Sequence, residues 1–351
     1  MEHPPKTMTA ALVTEVGAAP VITEMAVPAP APGEALVRVE AAALQPVELA
    51  IANGRFFDGT PVFPYVPGLE AVGTVVEGTR LAPGTRVRVE IVHPGYGHDG
   101  CFAEYVTVPE STHPEGRGAS DSTVEPVPAG LDPILVAAIG SSGQTGKLLL
   151  ERMRAADGTL GDAHVLILGA TGVVGEILVQ LCKRAGASWI VAAGRSRGRL
   201  EVMRKLGADA VVALPAQAVE TDLAGLSAEF RAAANGRLDV VFDPLWGVPA
   251  AAALDALGDG GIFVNFGQSA APRAPLSGVP LRARRVTLIG QAGARSSADE
   301  RRRATEQILD DAASGRVSLA YELVPLDDLP RAWERQARSP GTKLVIIPAG
   351  R

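Results

Sequence analysis

Along the first 130 residues the apolar positions come in short runs: Ala35–Val39, Ala71–Val76, Arg86–Ile91 and Ala103–Val108. Pro32-Gly33, Pro67-Gly68 and Pro83-Gly84 punctuate them. Proline presets φ and glycine accepts positive φ, so each pair marks a turn. Short strands between turns predict a small β-barrel or sandwich. Segment 111–130 is polar and predicts a surface loop.

From about residue 133 the rhythm changes. Pro133–Ala156 predicts a helix, although Gly140, Gly143 and Gly146 weaken its first half. Then apolar strands at Val165–Leu168, Trp189–Ala193, Ala210–Ala213, Asp239–Phe242 and Gly261–Phe266 alternate with helical stretches. Those helices cover Val173–Ala185, Arg199–Leu206, Gln217–Ala234 and Val248–Leu257. Continuous apolar strands between amphipathic helices predict βαβ units and a doubly wound parallel sheet covered on both faces. A strand at Val286–Ile289, a charged helix at Ala298–Ala313 and a strand at Lys343–Ile347 complete the chain.

The strand Val165–Leu168 runs into Gly169-Ala170-Thr171-Gly172-Val173-Val174-Gly175 and then into a helix. A dinucleotide fold needs that context, because a helix N-terminus aims free N–H groups and a positive dipole at the pyrophosphate. Small residues at 169, 170 and 172 let backbone approach phosphate, and Gly175 lets the helix pack closely on the strand. The second strand decides the cofactor. An NAD site places Asp or Glu about 20 residues on, against the ribose hydroxyls. Here Gly194, Arg195, Ser196, Arg197 and Arg199 follow, and no carboxylate occurs between Glu176 and Glu201. A guanidinium with a hydroxyl beside it suits a 2′-phosphate, so the expected cofactor is NADP(H), with Arg195 foremost among Gly194, Arg195, Ser196 and Arg199. Arg197 and Arg199 also have an ordinary alternative, which is to solvate the first turn of the next helix.

Composition narrows the class. Apolar residues make up 47% and charged residues 21%, the balance of a globular protein rather than a disordered one. A formal charge of −6 does not suit a nucleic-acid partner. The longest apolar runs fall well short of the ~20 residues of a membrane span. The N-terminus has no apolar secretion segment, so the expected compartment is the cytoplasm. Cys101 and Cys182 are too few for a disulfide framework or a four-thiolate zinc site. His93, His98, Asp99 and Cys101 form one metal-capable group, but Gly95, Gly97 and Gly100 make its loop a poor zinc cage, and no metal is expected. Cys182 falls in an apolar helix and is expected in the core.

The whole chain resembles the medium-chain dehydrogenase/reductase superfamily, in its zinc-independent quinone oxidoreductase branch. The likeness rests on Val66-Pro67-Gly68-Leu69-Glu70-Ala71-Val72-Gly73, Gly169–Gly175, Asp239–Pro244, Val264-Asn265-Phe266-Gly267 and Gly341-Thr342-Lys343-Leu344-Val345. It implies an N-terminal GroES-like β-barrel domain completed by the C-terminal tail (1–132 and 295–351), with a Rossmann domain (133–294) inserted and the active site in the cleft. Zinc-dependent relatives carry histidine where this chain has Leu69, and cysteine near Leu44-Gln45-Pro46. The four-cysteine lobe is missing as well. Quinone-reducing relatives carry a tyrosine where Phe56 or Phe57 now stands, and phenylalanine donates no proton. Tyr65 is nearby in sequence and is expected to pack the barrel.

By the same resemblance, Thr145 lines the nicotinamide and Asn265, Phe266 and Gly267 bracket its carboxamide. Thr145 could instead be a helix N-cap or first-turn residue. Gln45, with an amide N–H₂ to offer a carbonyl, is cast as the orienting or oxyanion group. The resulting expectation is an NADPH-dependent, metal-free reductase of activated double bonds in a small-molecule quinone, enone or enal. Its rivals are a carbonyl or imine reductase of specialised metabolism, and an NADPH-binding regulatory protein with little turnover. The strand Val286–Ile289 matches the edge through which such domains pair, so a homodimer is expected.

Overall fold

The structure is a computed structural model and describes residues 4–56, 58–91, 94–110, 122–153, 160–215 and 223–348. The chain divides into two compact bodies: Met1–Ser141 with Leu319–Arg351, and Ser142–Ser318. The sequence boundaries were 132/133 and 294/295.

In the first body, β1 (Thr7–Leu12) and β2 (Val21–Ala26) form an antiparallel hairpin. Next come β3 (Glu34–Leu44), α1 (Pro46–Ala52), β4 (Glu70–Glu77), β5 (Arg86–Glu90), β6 (Tyr105–Pro109) and β7 (Thr123–Pro126). Neither β1, β2 nor α1 was foreseen. β7 corrects the loop expected over 111–130, since Val89 pairs with Val124 on β5; residues 111–121 lie outside the described residues.

The helix α2 (Pro133–Met153) runs unbroken through its three glycines, and the division between the bodies falls within it. Two of those glycines admit close neighbours. A Cβ at Gly140 would overlap the Glu70 carboxylate, and one at Gly146 would come within 3.1 Å of Ile177. Thr145 therefore sits in the middle of a helix, not at a cap or first turn.

The second body continues with β8 (His164–Ile167), α3 (Val173–Arg184), β9 (Trp189–Gly194), α4 (Arg197–Leu206), β10 (Ala210–Ala213) and α5 (Leu223–Ala233). Then come β11 (Val240–Asp243), α6 (Gly247–Ala256), β12 (Ile262–Asn265), α7 (Gly278–Ala283), β13 (Thr287–Gly290) and α8 (Ala298–Ala313). The start foreseen for α5 at Gln217 lies outside the described residues. All six strands pair in parallel, in the order β10-β9-β8-β11-β12-β13. Leu166, Ile167, Val191, Phe242 and Val264 are fully buried, as a sheet covered on both faces requires. A capping box at Ser297 and Glu300 starts α8, which holds α2 through Gln144–Thr305 (2.9 Å) and Lys147–Asp311 (2.6 Å).

The tail returns to the first body as β14 (Tyr321–Pro325), α9 (Leu329–Ala337) and β15 (Lys343–Ile347). Strand order there is β14-β15-β3-β4-β5-β7, with β6 also on β3. Because β15 lies antiparallel to β3, with Val345 opposite Ala43, the C-terminal strand completes the sheet that the N-terminal strands begin. The barrel domain, the doubly wound domain and the closing tail match the expected fold class.

Candidate functional site

In the second body the chain moves outward from β8 to β9 and β10, then returns to β11 on the other side of β8. That reversal opens a crevice at the carboxyl ends of β8 and β11, the place where doubly wound sheets take their ligands. Gly169 turns there with φ of +61°, and a Cβ on it would reach 2.9 Å from Pro244. Gly172 caps α3 without any side-chain bond, so the N–H groups of Val173, Val174 and Gly175 have no acceptor within the helix. Thr171, Gly172, Val173 and Val174 are half-buried, whereas Ala170 is buried and donates its N–H to Ala193 O at 2.9 Å. Gly175 admits no side chain: a Cβ would stand 2.5 Å from Ala170 Cα and from Gly169 O. The turn thus offers bare, forward-pointing donors, as an anion needs.

At the end of β9, a Cβ on Gly194 would lie 2.6 Å from Thr171 Cγ2. The strand end therefore has no room for the carboxylate of an NAD-type site. Arg195 follows, exposed and without a hydrogen bond or ion pair among the described residues. Ser196 is already employed, since its hydroxyl caps α4 by accepting from Arg199 N. Arg199 is employed too: its guanidinium pairs with Glu176, whose side chain is only 4% exposed. Sequence puts Arg195 foremost but does not show that Arg199 is engaged.

Asn265 turns its amide inward. Nδ2 donates to Asp243 Oδ2 (2.8 Å) and to Gly267 O (2.7 Å), tying the end of β12 to the end of β11. Phe266 donates its N–H to Asp243 O, and a Cβ on Gly267 would meet Pro244 O at 2.7 Å. Asp243, fully buried, also accepts from Leu245 N (2.8 Å) and Trp246 N (3.0 Å). Burial raises its pKa against those bonds. It shapes the crevice rim, where Trp246 takes φ of +60°; the resemblance includes it within Asp239–Pro244 but gives it no role. Thr145, half-buried, has its hydroxyl 3.8 Å from where a Cβ on Gly293 would stand.

In the first body a polar cluster surrounds Glu70. The fully buried carboxylate accepts from Ser141 N at 2.9 and 3.0 Å, from Arg88 Nε at 3.3 Å and from Gln45 Nε2 at 3.3 Å. Gln45 Nε2 also reaches Ser141 Oγ at 2.6 Å. The N–H₂ that suggested an oxyanion group is therefore directed at two protein acceptors, and a substrate carbonyl would have to displace one.

Beneath that cluster, Glu48 accepts from Leu69 N (2.8 Å) and Gly68 N (3.2 Å). Burial pushes its pKa up to about 8, opposed by those two bonds and by Lys343. Burial pushes Lys343 down to about 8. Between the ordinary Glu value of 4.5 and about 8, the native state keeps a proton that the unfolded chain has lost. Stability therefore falls as pH rises through that window, by at most ~1.4 kcal/mol per pH unit. Urea unfolding midpoints followed from about pH 5 to 8 should decline in the wild type and flatten in Glu48→Gln. Parallel curves would show that Glu48 titrates normally.

Among the described residues the donors near Glu70 do not fit zinc. Leu69 stands beside Glu70, whose oxygens are already engaged, and burial raises the thiol pKa values of Cys101 and Cys182. Asp99 Oδ1 accepts from Val66 N at 2.8 Å, and His93 lies outside the described residues. Among the described residues no three His, Cys, Asp or Glu converge on a possible metal position. Tyr65 packs in the barrel core, 3% exposed. Phe56 leans on that core beside Tyr96, and Phe57 is outside the described residues. No helix among the described residues is long and apolar enough to cross a membrane.

Two family models match the chain. "Alcohol dehydrogenase GroES-like domain" covers residues 31–115 and "Zinc-binding dehydrogenase" covers 173–310. An alcohol dehydrogenase of Rhizobium meliloti is 33% identical over 59% of this chain and 63% of its own. A chloroplast envelope quinone oxidoreductase homolog of Arabidopsis thaliana is 31% identical over 54% of this chain and 55% of its own. The chain spans about half to two thirds of the length of such curated relatives. A mycobacterial protein solved in complex with NADPH shares the fold with a TM-score of 0.80, at 22% identity over 97% of this chain and 100% of that one.

Proposed function

Since the chain belongs to the medium-chain dehydrogenase/reductase superfamily, in its quinone oxidoreductase-like branch, we propose that it is an NADPH-dependent, zinc-independent reductase of activated double bonds. Quinones, enones and enals are its substrate class. The observation that carries the cofactor half of the proposal is the bare turn at α3 beside the unengaged Arg195.

The residues present fit the dinucleotide. Val173, Val174 and Gly175 supply N–H groups for the pyrophosphate, and Arg195 a charge-assisted bond for the 2′-phosphate. Thr145 and the Asn265–Gly267 segment flank the nicotinamide, the latter through backbone because the Asn265 amide is engaged with Asp243 and Gly267. When bound, NADPH supplies a hydride. Gln45 holds Ser141 and Glu70 together through its amide N–H₂. With phenylalanine at both Phe56 and Phe57, the closing proton comes from water.

A carbonyl or imine reductase is the second reading, kept open by the phenylalanines Phe56 and Phe57 where the quinone-reducing branch has a tyrosine. Reduction with 4-deuterated NADPH separates the two. Deuterium on the β-carbon of an enone supports double-bond reduction, and deuterium on the carbonyl carbon contradicts it.

The proposed assembly is a homodimer through β13. That strand is a sheet edge whose Leu288 is 42% exposed, and Val279 on α7 is 60% exposed. An unpaired apolar edge invites a second copy. Light scattering should give twice the 36.2 kDa chain mass, whereas a monomer at working concentration contradicts the assembly.

A further inference from the structure

The second body contains an ion pair that the proposed chemistry does not use. Glu176 lies in the first turn of α3, one residue beyond Gly175, and its side chain is almost fully buried. Arg199 reaches it from the first turn of α4. The pairing is one-sided: Arg199 bonds through a terminal nitrogen, and its Nε is buried with no partner among the described residues.

A carboxylate in the first turn of a helix is good for the helix and bad for an anion bound at its tip. It favours the helix through the dipole, and it opposes the positive field that draws the pyrophosphate. Burial makes that opposition stronger, because a charge out of water is poorly screened. In this chain the carboxylate cannot turn away to solvent. Arg199 is its ion-pair partner.

We propose, on the basis of the dinucleotide reading above, that Arg199 is a positioning residue. It sets the affinity for the whole dinucleotide by neutralising Glu176 beneath the phosphate turn, and it does not bind the 2′-phosphate. The pair also ties the first turn of α4 to the first turn of α3, so Arg195 and Ser196, which lead directly into α4, are held at the rim. Discrimination between the two nicotinamide cofactors then rests on Arg195, and overall affinity on the Glu176–Arg199 pair. The two arginines divide a task that sequence assigns to both.

The test is tryptophan-fluorescence titration of the full chain with NADPH and, separately, with NADH. Arg199→Ala should weaken both cofactors by about the same factor, roughly tenfold, the scale of an uncompensated charge one or two helical turns away. Glu176→Gln alone removes the offending charge and should bind both at least as well as the wild type. The double variant Glu176→Gln/Arg199→Gln should recover both affinities to within about threefold. It also serves if Arg199→Ala fails to fold, because it leaves no buried charge unpaired. Arg199→Lys keeps the cation and should hold both affinities close to those of the wild type.

Loss of NADPH affinity in Arg199→Ala with NADH unchanged would make Arg199 a phosphate ligand and overturn the proposal. A tenfold loss for both cofactors in Glu176→Gln, or a double variant that binds no better than Arg199→Ala, would overturn it equally. Wild-type protein that binds neither cofactor would instead remove the dinucleotide reading on which the proposal stands.

Discussion

Gly175→Val is expected to abolish dinucleotide binding and to destabilise the second body by about 3 kcal/mol. The atoms in its way are backbone, Ala170 Cα and Gly169 O, each 2.5 Å from the position of a new Cβ. A side chain in the way could rotate, but a turn fixed by Ala170 N–H to Ala193 O and Gly172 N–H to Gly169 O can only shift bodily. The shift would carry off the N–H groups that meet the pyrophosphate, so stability and affinity should fall together. A urea midpoint and an NADPH titration measure the two. Binding within threefold of wild type would mean that helix α3 does not need its close approach to the strand.

Arg195→Ala should lower NADPH affinity by about 30-fold and leave NADH within about twofold, the scale of one charge-assisted phosphate contact. The position is exposed and its side chain has no other bond among the described residues, so the fold should not change. The reverse engineering route is closed, because an acidic residue at Gly194 would collide with Thr171. Equal loss for both cofactors would place the 2′-phosphate elsewhere.

The doubly wound body was nearly all legible in sequence because its central strands β8, β9 and β11 are buried almost throughout and read as apolar runs. β10 and α8 fall where periodicity placed them. β2 and β14 were missed for the opposite reason. β2 is no more than half-buried at any position, and three of the first four residues of β14 face solvent, so charged or polar residues break both apolar runs. The glycines of α2 weaken the predicted helix on propensity, yet the approach of Glu70 leaves no room for a side chain at Gly140. The site was half legible. The turn Gly169–Gly175 is local and follows from strand, glycines and helix. The Gln45–Glu70–Ser141 cluster joins residues up to 96 positions apart, and the inward turn of the Gln45 amide depends on partners no spacing rule identifies. The engagement of Arg199 by Glu176 was hidden in the same way, since both residues look solvated in sequence.

The central claim is metal-free, NADPH-dependent reduction of activated double bonds. Its most direct measurement is NADPH oxidation at 340 nm in the presence of EDTA, against a panel of quinones, enones, enals, aldehydes and imines, with NADH in parallel. Turnover of quinones, enones or enals, undiminished by EDTA and faster with NADPH than with NADH, is the predicted result. Activity that EDTA removes, or turnover confined to saturated aldehydes and imines, would contradict the claim.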